Sequence, residues 1–146
     1  MSLPPWYAHG LRFACTQCGN CCTGPPGYVW CTDAEARAIA GQLGIGVPEF
    51  LDRYTRLLAS RRSLCEVETS FGYDCVFLRR DAAGKAGCAV YAARPAQCRT
   101  WPYWTENLAS AERWHQAARR CPGIAAGLEG RGTLYNLQQV RIIRDA

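Results

Sequence analysis

Apolar residues recur at three- and four-residue intervals between residues 33 and 58, and this period fades further along the chain. Thr32-x-x-Glu35 is a capping box, in which each side chain can bond the other residue's backbone N–H. It predicts a helix over Asp33–Leu43 with Ala34, Ala38 and Ile39 on one face, ended by Gly44. Pro48 suits the first turn of a second helix, in which Phe50, Leu51, Tyr54, Leu57 and Leu58 keep helical spacing. Residues 63–69 and 71–79 alternate poorly but are rich in Val, Phe, Tyr and Cys, so they predict short strands. A loop over 81–87, a short strand over 88–91 and a helical turn over 94–98 follow. Ser110 predicts the cap of a helix running to about residue 120, ended by Cys121-Pro122-Gly123. A last helix spans about 133–144 with Leu134, Leu137 and Val140 inward. Residues 1–31 read as irregular, with turn chemistry at Thr23-Gly24-Pro25-Pro26-Gly27. The expectation is a small α+β chain, a single domain over 1–146, with irregular cysteine-bearing loops around a metal centre.

Composition sharpens this picture. The chain has 146 residues, 49% of them hydrophobic, enough to bury a core without disulfides. It has no basic stretch followed by an apolar run at its start, so no secretory leader is expected. No window approaches the roughly 18 apolar residues of a membrane span. The expected location is the cytoplasm, where thiols stay reduced. The net charge is +5, carried almost wholly by arginine. Arg61-Arg62, Arg79-Arg80 and Arg119-Arg120 would need to share one face with interleaved aromatics to bind nucleic acid, and they read as solvated surface with a compositional bias toward arginine. The charge suits an acidic protein partner better than nucleic acid.

Ten cysteines change the picture most. Four lie in Cys15-Thr-Gln-Cys18-Gly-Asn-Cys21-Cys22. Thiolates are soft ligands that select zinc, copper(I) and iron–sulfur centres. Gly19 allows a tight turn between them, because glycine reaches positive φ at little cost. Spacing alone therefore suggests a metal site. His9 and His115 lack any ligand-pair context. Gly41-Gln-Leu-Gly44-Ile-Gly46 follows a helix, lacks Lys-Ser/Thr, and reads as a helix stop and linker instead of a phosphate loop.

The ordered segments Phe13-x-Cys-x-x-Cys-Gly-x-Cys-Cys22, Cys75-Val-Phe-Leu, Cys88-x-x-Tyr91, Arg94-Pro-x-x-Cys98-Arg-x-x-Pro102 and Cys121-Pro-Gly resemble the YkgJ-like cysteine-cluster proteins, zinc- or iron-chelating domains. The likeness spans about residues 13–127. It implies eight metal-binding cysteines: Cys15, Cys18, Cys21, Cys22, Cys75, Cys88, Cys98 and Cys121. Cys31 and Cys65 fall outside the motifs and read as ordinary buried thiols.

Two metals remain open. Three closely spaced thiolates and a distant Cys-Pro resemble an iron–sulfur pattern, although the usual fourth cysteine three residues on is missing. Zinc favours closed Cys₄ sites, but Cys15-x-x-Cys18 is the one clear knuckle. Adjacent Cys21 and Cys22 do not easily turn both sulfurs to one tetrahedral ion, so they are expected to serve neighbouring metals, or one of them to bridge. One partition gives Cys15, Cys18, Cys21 and Cys121 to one centre and Cys22, Cys75, Cys88 and Cys98 to another. Arg94 and Arg99 flank Cys98 and can offset thiolate charge, or pair with surface carboxylates. Trp101, Tyr103 and Trp104 can wall a site from water or simply pack the core. The functional expectation is a metal-binding protein with a redox or electron-transfer role or an action on a protein partner. A structural zinc module presenting an interaction surface is the alternative. A thiol–disulfide protein using Cys21-Cys22 is a third reading. Whether the chain is an enzyme stays open.

Overall fold

The computed structural model describes residues 3–146, so residues 1–2 of the segment expected to be irregular lie outside the described residues. In chain order the elements are β1 (Leu11–Phe13), a 3-10 turn (Asn20–Cys22), α1 (Asp33–Leu43), α2 (Val47–Tyr54), β2 (Thr55–Leu58), β3 (Arg61–Leu64), β4 (Glu66–Thr69) and β5 (Gly72–Cys75). Then come β6 (Leu78–Arg80), β7 (Ala86–Cys88), a second 3-10 turn (Tyr91–Ala93), α3 (Ala96–Thr100), α4 (Thr105–Leu108), α5 (Ala111–Ala118), α6 (Pro122–Leu128), β8 (Thr133–Tyr135) and α7 (Leu137–Arg144). The chain is α+β. Its strands pair as antiparallel two-stranded ribbons, β1–β8, β2–β3, β4–β5 and β6–β7. Two compact units result, one of residues 3–18 with Thr100–Ala146, the other Gly19–Arg99.

Each unit buries its own apolar cluster. In the first, Leu11, Tyr103, Trp114, Ile124 and Val140 form the centre. The Tyr103 and Trp114 rings stack with centroids 5.8 Å apart. Helix α6 lies directly on the β1 segment through two glycines: a Cβ at Gly127 would fall 1.9 Å from the Arg12 carbonyl oxygen, and one at Gly123 would fall 2.4 Å from that of Ala14. In the second unit Ile39, Phe50, Leu64, Phe77 and Val90 form the centre. Helix α1 opens with both bonds of its capping box, Thr32 with Glu35, and ends at Gly44 in the left-handed region. The second Glu35 carboxylate oxygen also accepts from the Ala96 N–H at the start of α3.

Several boundaries differ from the sequence expectation. The buried face of α1 is Ala36, Ile39 and Ala40, while Ala34 and Ala38 face water. Leu57 and Leu58 leave the expected second helix and pair in β2, because Ala59 at φ 54° turns the chain into β3. The strands expected over 63–69 and 71–79 are cut into β3–β6, with Cys65 between β3 and β4 donating its N–H to the Tyr54 carbonyl and accepting from the Val76 N–H. The strand expected at 88–91 lies earlier, at β7, and a 3-10 turn takes Tyr91–Ala93. Cys121-Pro122-Gly123 ends α5 and also opens α6, with Pro122 in its first turn. The last helix starts at Leu137 behind an Asn136 cap, and Thr133–Tyr135 instead pairs with β1, leaving Leu134 exposed. No helix among the described residues is long and apolar enough to cross a membrane.

Candidate metal centre

In the first unit, Cys15 and Cys18 sit in the loop that follows β1. Gln17 takes φ 58°, and its N–H donates to the Cys15 sulfur at 3.3 Å. That is a knuckle-like turn, with an amide already directed at a sulfur. Cys121 caps α6, so the glycine contacts that press α6 onto Arg12 and Ala14 also fix where Cys121 stands. Burial raises the Cys121 pKa; the N–H of Ile124, the Trp101 indole and the N–H of Gly123 pull it down; the Cys18 charge raises it. Cys18 and Cys121 therefore lie within electrostatic reach of each other. Trp101 acts on a cysteine, and Tyr103 is a core residue at 2% exposure.

The second unit gathers five cysteines from four segments. Gly19, at φ 79°, caps the 3-10 turn that carries Cys21 and Cys22. A side chain at Gly19 would fall 2.8 Å from the Ala86 Cβ, so the turn sits on the β6–β7 ribbon. That ribbon carries Cys88, paired with Leu78. The β4–β5 ribbon supplies Cys75 opposite Glu66. Helix α3 supplies Cys98, whose N–H bonds the Pro95 carbonyl at 3.0 Å.

The sulfurs interact. Cys21 and Cys22 stand 3.8 Å apart, a hydrogen bond in which either sulfur can be the donor. Their hydrogen bond holds Cys21 down at about 7 and Cys22 far above the thiol range, helped by burial and by the Cys21, Cys98 and Cys75 charges. Burial pushes Cys98 up to about 12, with the Cys75, Cys88 and Cys21 charges adding to it and Arg94 opposing. Burial likewise pushes Cys75 to about 11, against the Phe77 N–H and with the Cys88 charge. Cys22, Cys75 and Cys98 are thus each raised by the charge of neighbouring thiolates. A group of that kind ionises when a cation is present to gather the charge.

Arginines surround this group. Arg94 lowers Cys21 and Cys98, stacks 3.8 Å from the Tyr91 ring centroid, and donates to the Tyr91 carbonyl. Arg99 donates to the Arg94 carbonyl at 2.7 Å. Arg79 lowers Cys75 and donates to the Val76 and Leu78 carbonyls. Arg80 pairs with Asp74 at 2.6 Å. The arginine pairs 61–62 and 79–80 are thus held by local bonds and rings, Arg61 lying 3.9 Å from the Trp30 centroid and Arg62 bonding Thr55.

Cys31 is buried in the second unit's core, where burial and the Glu35 and Asp33 charges push it to about 11, and Cys65 is half-buried. His115 bonds the Ala111 carbonyl of its own helix. None of the ten cysteines is in a disulfide. Among the described residues, no three His, Cys, Asp or Glu side chains are gathered closely enough to grip an ion as they stand. The donor chemistry nevertheless fits a soft metal. The 3.8 Å separation of Cys21 and Cys22 matches the edge, about 3.8 Å, of a tetrahedron with bonds of about 2.3 Å. Adjacency therefore does not hold these two sulfurs further apart than such an edge.

Sequence reasoning passed over Thr23, Asp74 and the α6 glycines. Gly123 and Gly127 stand four apart inside a helix, a spacing that signals a close backbone approach. A family model described as CxxCxxCC, putative zinc- or iron-chelating domain, matches residues 14–122. No solved structure matches the chain.

Proposed function

The chain belongs to the CxxCxxCC family of zinc- or iron-chelating domains, and from that premise we propose that it binds metal through cysteines in two places. In the second unit the ligands come from Cys21, Cys22, Cys75, Cys88 and Cys98. In the first, Cys15, Cys18 and Cys121 contribute. The observation that carries this reading is geometric: Cys21 and Cys22 stand 3.8 Å apart on a turn that Gly19 seats against Ala86 of the ribbon carrying Cys88. Side-chain rotation would be needed to bring these sulfurs onto one ion, since among the described residues no three stand close enough to grip it.

The 3.8 Å pair favours a single ion, zinc or iron, over two corners of a cubane cluster, whose thiolates stand wider apart. On this reading Cys21 joins Cys22, in place of the partition that set it with Cys15, Cys18 and Cys121. When bound, such an ion supplies charge that holds the thiolates ionised and, if iron, a one-electron couple. The protein's own groups provide the rest: Arg79, Arg80 and Arg94 offset thiolate charge, and Trp101 donates towards Cys121. A reducing, cytoplasmic compartment suits ten unpaired-by-disulfide cysteines. An acidic protein partner suits the +5 charge.

A structural role has its own support. Each unit has a separate small core, and small units gain most from a metal staple. In that case the metal contributes to folding and the exposed surface does the work.

The test is metal analysis and an absorption spectrum on protein purified without oxygen. Zinc or iron at stoichiometric level supports the proposal. A colourless zinc protein favours the structural role; a reversible visible chromophore favours the redox role. Absence of both metals would defeat it.

A further inference from the structure

The Cys21-Cys22 turn is held in place by residues that are not cysteines. Thr23, the next residue, donates its hydroxyl to a carboxylate oxygen of Asp74 and lies 3.5 Å from the Phe71 carbonyl. Asp74 immediately precedes Cys75 and is only 6% exposed. Its carboxylate takes Arg80 through both prongs, at 2.6 Å and 3.2 Å. Arg80 is fixed from another side by the Phe71 ring, 3.9 Å from its centroid. The Arg80 and Cys22 charges act on each other.

The backbone closes the same joint. The Tyr73 N–H donates to the Gly24 carbonyl at 2.8 Å. Gly72, at φ 127°, comes so near Gly24 that a Cβ would stand 2.8 Å from its oxygen. The strand end that carries Cys75 and the turn that carries Cys22 are therefore clamped within two residues of each sulfur.

We propose that Thr23, Asp74 and Arg80 form a latch that positions Cys22 against Cys75 and brings a fixed positive charge to their thiolates. The proposal rests on the reading of Cys22 and Cys75 as metal ligands. A buried ion pair is a poor source of stability by itself, because desolvation cancels much of the attraction. Its value here lies in geometry: one carboxylate fixes both the turn and the counter-charge. Partners of this kind, behind the ligands, change metal affinity by about 10- to 100-fold when removed.

The test compares full-length wild type with Thr23→Val and Thr23→Ser, each loaded with cobalt(II) as the probe. Valine keeps the shape of threonine and leaves the Asp74–Arg80 pair intact. Three quantities are read: the rate of cobalt release to an excess of chelator, the visible spectrum, and the melting temperature of the metal-free protein. The expected result is release about tenfold or more faster from Thr23→Val, an altered spectrum, and at most a small fall in metal-free melting, with all three restored by Thr23→Ser. Should Thr23→Val fail to fold, Arg80→Lys keeps the charge, loses the fork, and is expected to speed release in the same direction. Wild-type release and spectrum in the variants would overturn the latch while leaving metal binding in place. A faster release matched by loss of metal-free stability, unrescued by serine, would also overturn it. A wild type that takes up no metal would overturn the metal reading itself, and the latch with it.

Discussion

Helix α6 and β1, the strand that leads into the Cys15–Cys18 loop, are held together by a contact that a single methyl group should break. In Gly127→Ala the new Cβ would lie 1.9 Å from the Arg12 carbonyl oxygen and 2.7 Å from the Arg12 carbonyl carbon. Optimal heavy-atom contact is at about 3.5 Å, so helix and strand must separate by more than about 1 Å. Both obstacles are backbone atoms, which cannot swing aside. Overpacking of this kind costs about 1–3 kcal/mol, and the upper part of that range applies to backbone against backbone. Alanine returns about 1 kcal/mol as helix propensity. The net expectation is destabilisation of about 1–2 kcal/mol. Gly41 in α1 provides the control, since a Cβ there meets nothing within 4 Å. Gly41→Ala should stabilise by about 0.5–1 kcal/mol. Urea unfolding of the metal-free variants, followed by circular dichroism, reads both signs. The two substitutions are the same in chemistry, so opposite signs isolate the contact. Gly127→Ala as stable as wild type, or more so, would refute the account of how Cys121 is positioned.

Three further outcomes follow from the same structure. Asp74 is held below the ordinary carboxylate range by its bonds to Arg80, so its contribution is present above the unfolded pKa and is lost as pH falls through the lower, folded one. Urea midpoints of metal-free protein should therefore fall on acidification below about pH 4, and Asp74→Asn should be destabilised by about 3 kcal/mol at neutral pH with that acid dependence removed. An unchanged acid slope in Asp74→Asn would count against the pair. Cys98→Ser should lower metal content by one centre and leave the other filled, as read by metal analysis; full loading would exclude Cys98 as a ligand. A strong chelator should lower the melting temperature of the loaded protein, because binding energy to structural thiolate sites appears as folding energy. Identical melting curves with and without chelator would oppose a structural role.

What the sequence made legible was local. The Thr32–Glu35 box and Gly44 mark α1 because each signal lies within one turn of the residue it controls. Ser110 at the start of α5 is read in the same way. The α+β character followed from mixed periodicity. The misreadings came from pairing at a distance. Leu57 and Leu58 keep a helical phase, but the turn at Ala59 commits them to a ribbon, and no propensity flags a left-handed alanine. Thr133–Tyr135 is strand only because β1, at the other end of the chain, pairs with it. The cysteines were visible as a set through their motifs. Their grouping was not, because it depends on where Gly19 and Gly72 let the backbone close up. Spacing left open whether adjacent Cys21 and Cys22 serve neighbouring metals or bridge them, and the 3-10 turn that brings their sulfurs to 3.8 Å was not legible in it.

The central claim is that these thiols hold metal, and the metal content per chain after anaerobic purification tests it most directly, measured beside a Cys22→Ser, Cys75→Ser double variant. The account predicts zinc or iron at stoichiometric level in the wild type and the loss of one centre in the double variant. A folded wild type with neither metal would contradict it, as would a double variant with undiminished metal content.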